Sequence, residues 1–164
     1  MRIVIIILVL AGTFLSCKKE KELVSSKDMV EVYLLKSVQL VSGKCEVEKG
    51  ETESTPLIAN EDILGYSPGE HRFRIKDTAA GKVKALKDGT PFAVSVNGRV
   101  IYYGFFKPGY SSSSCFHSVT MELPFEGKVF LRLGYPGTIE GVTVADLRNH
   151  PELISALSAQ GKLD

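Results

Sequence analysis

The stretch FAVSVNGRVIYY, residues 92–103, is the strongest local structural signal in this chain of 164 residues. Its flanks are rich in β-branched and aromatic residues, and Asn97-Gly98 tolerates the positive φ values of a type I′ turn. The stretch therefore predicts a β-hairpin. The predicted partners are Val96 with Arg99, Val94 with Ile101, and Phe92 with Tyr103. The last two pairs share one face, which we predict to be the core face.

Segments on both sides of this hairpin complete a mixed fold. Residues 30–41, 71–75, 116–123 and 128–133 have the composition of strands. Short apolar pieces at residues 57–58 and 63–66 precede a turn at residues 67–69, and residues 43–55 predict a solvated excursion because they carry four Glu. Strands in neighbouring hairpins with separate helices predict an α+β fold with a mainly antiparallel sheet of five to six strands, in one domain over residues 29–164.

Two helices are expected in this domain. The first is predicted after Asp77 or Thr78, either of which can cap it, and it ends before Asp88-Gly89. The second begins at Pro151, buries Leu153, Ile154 and Leu157, and stops at Gly161. Residues 142–147 predict either the end of a strand or a helical turn.

Composition excludes several classes of protein. The chain is 44% hydrophobic and 24% charged, which is typical of a soluble globular domain rather than a disordered or coiled-coil chain. Twenty basic residues balance nineteen acidic ones, so no nucleic-acid partner is predicted. No metal-ligand spacing and no glycine-rich phosphate loop occurs, and we predict no cofactor.

The first residues have the pattern of an export signal. Met1-Arg2 precedes the apolar run of residues 3–10, and small residues lead into Cys17. Leu15-Ser16-Cys17 resembles the lipobox of bacterial lipoproteins, although Phe14 stands where that family most often has Leu. The resemblance implies cleavage after residue 16, acyl chains on Cys17 and attachment to a membrane through them. The alternative is an ordinary signal peptide with a coincidental Cys.

The residues after Cys17 predict a flexible tether up to residue 28, because a charged stretch with Ser cannot bury apolar area. Lys18 occupies the position where Asp implies inner-membrane retention in some lipoproteins, so the resemblance implies the outer membrane. Either the periplasmic face or the cell surface is compatible with this pattern. A strand, the helix of residues 77–86 and the strand-like residues 92–101 together resemble the periplasmic head of the SecD export subunit, which supports an α+β envelope domain.

Cys45 and Cys115 remain as a pair once Cys17 carries lipid. An exported protein lies where disulfides persist, so we expect the two to be bonded. Two unpaired buried thiols are the alternative.

A candidate binding surface lies around residues 102–117. No Asp or Glu occurs between Asp88 and Glu122, and half of the fourteen aromatic residues fall in that interval. Aromatic side chains beside a Ser-rich loop supply amphipathic contact area at low entropic cost. The candidate residues for binding a peptide, a glycan or an envelope protein are Tyr102, Phe105, Tyr110, Ser112 and His117. The alternative is that these aromatic residues fill the core.

An enzymatic hypothesis uses Cys115 as a nucleophile and His117 as its base, since a thiol needs a neighbouring base to form thiolate. It is incompatible with a Cys45–Cys115 bridge. We therefore expect a non-catalytic structural or binding role, with the cysteine enzyme as the alternative.

Overall fold

The computed structural model describes residues 28–125 and 127–164, which form one sheet of eight strands with two helices. The elements are β1 (Val30–Leu40), β2 (Val47–Thr52), a 3-10 turn (Asn60–Asp62), β3 (Ile63–Ser67), β4 (Arg72–Ile75), α1 (Asp77–Lys84), β5 (Pro91–Val96), β6 (Arg99–Phe106), β7 (Cys115–Phe125), β8 (Lys128–Tyr135) and α2 (Pro151–Ala159). The signal peptide, Cys17 and almost all of the tether lie outside the described residues. Neither described helix is long and apolar enough to cross a bilayer.

The strand order is β2-β1-β5-β6-β7-β8-β4-β3, and every pair is antiparallel except β6 with β7. The α+β prediction with a mainly antiparallel sheet is confirmed. The predicted strand number of five to six is too low, because β2 and β3 were not counted as full strands.

The hairpin of β5 and β6 forms as predicted, with a register change. Asn97 and Gly98 have φ angles of 54° and 76°, as the turn requires. A bulge shifts the register between Val94 and Ser95, so that Val94 lies opposite Tyr102 instead of Ile101. One extra residue on a strand moves every later side chain to the other face. Tyr102 therefore lies on the core face, where Tyr103 was predicted.

Residues 43–55 contain strand β2, which corrects the predicted solvated excursion. Only residues 30–34 of β1 pair with β5, while residues 35–40 pair with β2. This second hairpin lies against the sheet, because the Tyr103 hydroxyl donates to the Gly50 carbonyl at 3.4 Å. Its Glu-rich sequence is compatible with a strand because the charged side chains stay exposed. Strand β1 supplies the hydrogen-bond partners for the backbone of β2.

The main core lies between the sheet and the two helices. Helix α1 contributes Ala79 and Val83, and helix α2 contributes Leu153, Ala156 and Leu157; all five are buried. They pack with sheet residues that include Phe92, Val94, Tyr102, Met121 and Leu131. Ile154, predicted as buried, is only partly so.

The helix ends agree with the sequence in one case and differ in the other. Pro151 is the first residue of α2, as predicted, and the His150 side chain accepts a hydrogen bond from the Glu152 N–H at 3.4 Å. The cap of α1 is Lys76, whose side chain makes no capping bond, rather than Asp77 or Thr78. Asp77 lies in the first turn, where its negative charge favours the positive end of the helix dipole.

Residues 136–150 form a strap without helix or strand, so residues 142–147 are neither a strand end nor a helical turn. The strap is held by its own contacts with the sheet. Leu147 packs on the main core, and the Tyr66 hydroxyl donates to the Arg148 carbonyl at 2.7 Å.

Candidate binding site

Cys45 and Cys115 form a disulfide with a Cα–Cα distance of 5.3 Å, as the sequence predicted. The bridge fastens the end of the β1–β2 hairpin to β7, and it lies in a small second core with Phe105 and Tyr135. Cys115 has no free thiol in this state, so the alternative mechanism with His117 as its base has no nucleophile.

The structure separates the five candidate binding residues. Tyr102 and Phe105 are 4% and 6% exposed and belong to the two cores, so they offer no surface to a partner. Tyr110 and Ser112 are exposed on the loop between β6 and β7. His117 is half-buried and lines a separate cleft with Glu46. The structure therefore does not bring the five residues together on one surface. Tyr110 and Ser112 lie on one loop, and Tyr102 contributes to the same cleft as His117.

Tyr110 belongs instead to an apolar groove, here called the aromatic patch. Its lining residues are Lys84, Phe106, Pro108, Gly109, Tyr110, Leu123 and Phe125, around a volume of about 420 Å³. Tyr110 is 85% exposed and Phe125 is 75% exposed. Phe125 was not identified from the sequence, because it lies outside the aromatic-rich interval and only the fold brings it to Tyr110.

The parallel pairing of β6 and β7 assembles this patch. Gly104–Phe106 pair with Val119–Met121, and the Lys107 N–H continues the ladder to the Met121 carbonyl at 2.9 Å. Because the strands are parallel, the residues that follow both of these segments lie at the same end of the sheet. Phe106 is the buried aromatic residue of the groove, and Tyr110 and Phe125 are the exposed ones in its lining.

A buried ammonium holds the loop that carries Tyr110. Lys107 is 2% exposed, and its Nζ lies 2.8 Å from an Asp88 carboxylate oxygen and 2.7 Å from the Ser113 hydroxyl. The hydroxyls of Ser111 and Ser113 each donate to Asp88 at 2.8 Å. These Ser residues thus fix the loop from within, whereas the sequence suggested that the Ser-rich segment was a contact surface.

Two further interactions complete this cluster. The Lys107 Nζ lies 5.3 Å from the centre of the Tyr135 ring, within cation–π range, and the Tyr135 hydroxyl donates to the Ser111 carbonyl at 3.2 Å. Burial by itself would raise the pKa of Asp88, but the hydrogen bonds from Lys107, Ser111 and Ser113 outweigh it and hold that pKa below its ordinary value. Asp88 therefore stays ionised as the partner of Lys107.

The chain enters the described domain at the opposite end of β6 from the aromatic patch. The Met29 N–H donates to the Asn97 side-chain oxygen at 3.0 Å, and the Asn97 N–H donates to the Met29 carbonyl at 2.8 Å. Asn97 is in the turn before β6, whereas Phe106 ends that strand. An eight-residue strand is roughly 26 Å long at about 3.3 Å per residue.

No group of three or more His, Cys, Asp or Glu side chains in residues 28–125 and 127–164 is placed to hold a metal ion. Comparison with models of protein families, with curated proteins and with solved structures gave no match.

Proposed function

We propose that this protein is a lipid-anchored, non-catalytic protein of the bacterial cell envelope, attached to the outer membrane through Cys17. Its aromatic patch binds an extended segment of a partner protein. The lipobox-like sequence supports the anchor. The binding role is carried by one observation, the exposure of Tyr110 and Phe125 in the lining of one apolar groove.

The patch has the properties of a pre-organised contact surface. Large aromatic side chains in a well-supported pocket contribute a major share of binding energy at protein interfaces. The Lys107–Asp88 cluster holds the Tyr110 loop before any partner arrives. Binding therefore costs less conformational entropy than it would for a flexible loop.

The lining of the groove favours a peptide over a glycan. Among the described lining side chains, only Lys84 and the Tyr110 hydroxyl can make polar contacts. A glycan requires several hydrogen bonds, which this surface does not supply. An apolar side chain fits the groove, and a carboxylate beside it would be complementary to Lys84. The proposed ligand is therefore a peptide segment with an apolar anchor residue and acidic neighbours.

The position of the tether favours a partner over the bilayer. A chain anchored at Cys17 enters the domain beside Asn97, at the far end of β6 from the patch. The simplest arrangement places the Asn97 turn toward the membrane. The patch then faces the aqueous space, where a protein segment can reach it.

The anchor is tested by metabolic labelling with alkyne-palmitate. The wild-type chain is expected to incorporate the label and to remain with the membrane fraction. The Cys17→Ser variant is expected to incorporate none. An unlabelled wild-type chain in cells that label their other lipoproteins would overturn the anchor without affecting the binding proposal.

The patch is tested by photo-crosslinking in intact cells, with p-benzoylphenylalanine at position 110 or 125. Position 64 is the control, since Leu64 is 44% exposed but lies on β3. We expect one shared protein adduct from positions 110 and 125 and none from 64. Lipid adducts alone would place the patch at the bilayer and refute the peptide proposal, and absence of any adduct would refute a partner.

A binding measurement then tests the chemistry of the captured segment. Overlapping peptides from the partner are titrated against the full chain in a nonionic detergent. The binding peptide should carry an apolar residue beside Asp or Glu, and the Tyr110→Ser/Phe125→Ser variant should bind it at least about 10-fold more weakly. Equal affinity of the variant, with an unchanged melting temperature, contradicts the proposal.

A further inference from the structure

A second pocket lies where β8 extends beyond its neighbour β4. The last pair between these strands at this end is Arg72 with Phe130, whereas β8 continues to Tyr135. The Leu131 N–H donates to the His71 carbonyl at 2.9 Å, just before β4 begins. Beyond that bond, Arg148 and the first residues of the strap border a cavity of about 360 Å³.

Basic side chains dominate the lining of this pocket. His71, Arg132 and Arg148 all contribute to it, and the one carboxylate in the lining is Glu70. Glu70 is already engaged, because it accepts a hydrogen bond from the Arg72 Nε at 2.6 Å. The pocket therefore offers donors and positive charge without a competing free acid among its described lining residues.

Acidic residues outside the pocket lining orient the two guanidinium groups and leave donors free. Asp146 accepts from the Nε and one terminal nitrogen of Arg148 at 2.8 and 2.7 Å, and the Leu131 carbonyl accepts from the other terminal nitrogen at 3.2 Å. A guanidinium has five N–H donors, so two remain on Arg148. Arg132 uses its Nε on Glu122 at 2.7 Å, and its terminal nitrogens donate to no other described residue.

Neutral groups add to this set of donors. The Thr138 hydroxyl belongs to the lining. Backbone N–H groups two residues apart on a strand point to the same edge, so the Leu133 N–H faces the side on which Leu131 bonds to His71. The His71 Nδ1 is buried and has no hydrogen-bond partner in the described chain. A buried polar nitrogen without a partner is unfavourable unless something else satisfies it.

We propose that this pocket binds a small organic anion through a carboxylate or phosphate group. Arg132 and Arg148 recognise the charged oxygens, and His71 supplies a hydrogen bond from the wall of the pocket. Fixed guanidinium groups suit both oxyanions, because their planar donors match two oxygens at once. The volume accommodates a ligand larger than the anionic group alone. This site is independent of the aromatic patch and does not require the lipid anchor.

The test uses NMR of the full chain in a nonionic detergent, labelled with [15N]histidine. The chain contains three histidines, so His117 and His150 serve as internal references for His71. The probes are sodium phosphate and sodium succinate, titrated separately at constant pH and ionic strength. We expect the imidazole signals of His71 to shift and to saturate with at least one probe, while those of His117 and His150 stay unchanged.

The two probes distinguish the sources of the anion. Saturation with phosphate alone assigns the site to phosphoryl compounds, saturation with succinate alone assigns it to carboxylates, and saturation with both supports general recognition of oxyanions. A shift that stays linear, or that is equal at all three histidines, overturns the proposal.

Substitutions assign the effect to this pocket. Arg132→Gln should weaken binding about 10-fold or more, because a hydrogen-bonded charge is lost. Arg74→Gln is the matched control, since Arg74 is an exposed strand residue that pairs with Asp164 outside the pocket. If the Arg132→Gln variant is unstable, the Arg132→Lys variant, which keeps the charge, replaces it in the binding measurement. Equal binding by Arg132→Gln and wild type contradicts the assignment.

Discussion

Replacing Asp88 with Asn is expected to destabilise the protein more than replacing Lys107 with Met, although both changes break the same ion pair. The Asp88→Asn variant leaves an ammonium whose side chain is 3% exposed, with only the Ser113 hydroxyl and the Tyr135 ring beside it. Leaving such a buried charge uncompensated costs about 3 kcal/mol. For a domain of this size, that lowers the melting temperature by roughly 10 °C.

The Lys107→Met variant leaves a carboxylate that can be hydrated. The Asp88 side chain is 34% exposed and keeps its bonds from Ser111 and Ser113. We expect a cost of about 1 kcal/mol, because methionine retains most of the buried aliphatic volume. The double variant should be more stable than Asp88→Asn alone, since it contains no unpaired buried charge.

The assay is thermal unfolding of the full chain in detergent, followed by circular dichroism, for the wild type and the three variants. The pH dependence has a defined sign. The pKa of Asp88 is lowered in the folded state, so its stabilising effect is present above the unfolded value of about 3.9 and disappears as the pH falls through the folded value. The difference between wild type and Asp88→Asn should therefore shrink below about pH 4. A Lys107→Met variant as unstable as Asp88→Asn, or a fully additive double variant, refutes the reasoning.

Further predictions concern the disulfide and one buried glycine. Replacing Cys45 and Cys115 together with Ala should lower stability by up to about 4 kcal/mol, from the chain entropy of a loop this long. Reductant should lower the melting temperature of the wild type and leave that of the double variant unchanged. Gly104→Ala should cost about 2–3 kcal/mol by denaturation, because its Cβ would lie 2.5 Å from the Val119 carbonyl oxygen. Gly109→Ala, with open space around its Cβ, should change stability by less than about 0.5 kcal/mol.

The parts of the fold that could be predicted depend on short-range chemistry. Asn97-Gly98 specifies its turn through backbone conformations that these two residues accept, and Pro151 specifies the start of α2 through its fixed φ. The pairing of Cys45 with Cys115 was predicted from elimination and compartment rather than from geometry. In each case a few residues contain the necessary information.

The parts that could not be predicted depend on contacts distant in sequence. The bulge that turns Tyr102 inward has no local marker, so alternation alone assigned the core face to Tyr103. Strand β2 was missed because its composition is that of an exposed segment. It forms a strand through its pairing with β1, which the local sequence does not show.

Of the two exposed aromatic residues in the candidate site, only Tyr110 could be predicted from the sequence. Aromatic density identified Tyr110, but Phe125 joins it through the parallel pairing of β6 and β7, which the sequence does not encode locally. The role of Lys107 likewise depends on Asp88, which the end of β6 meets only in the folded chain. Charge patterns along the sequence cannot distinguish such a buried pair from exposed charges.

The disulfide also determines how the domain would transmit mechanical force. A pull transmitted from the proposed anchor at Cys17 to residue 28, and resisted by a partner held at Phe125, runs through residues 28–45, crosses the bridge and continues along β7. Residues 46–114 are bypassed, so most of the sheet carries no tension through its backbone. Because the load runs along β1, its pairs with β5 resist it together in shear. With the proposed anchor and the proposed partner in place, the bridge would form a short covalent link between the two points at which the load is applied.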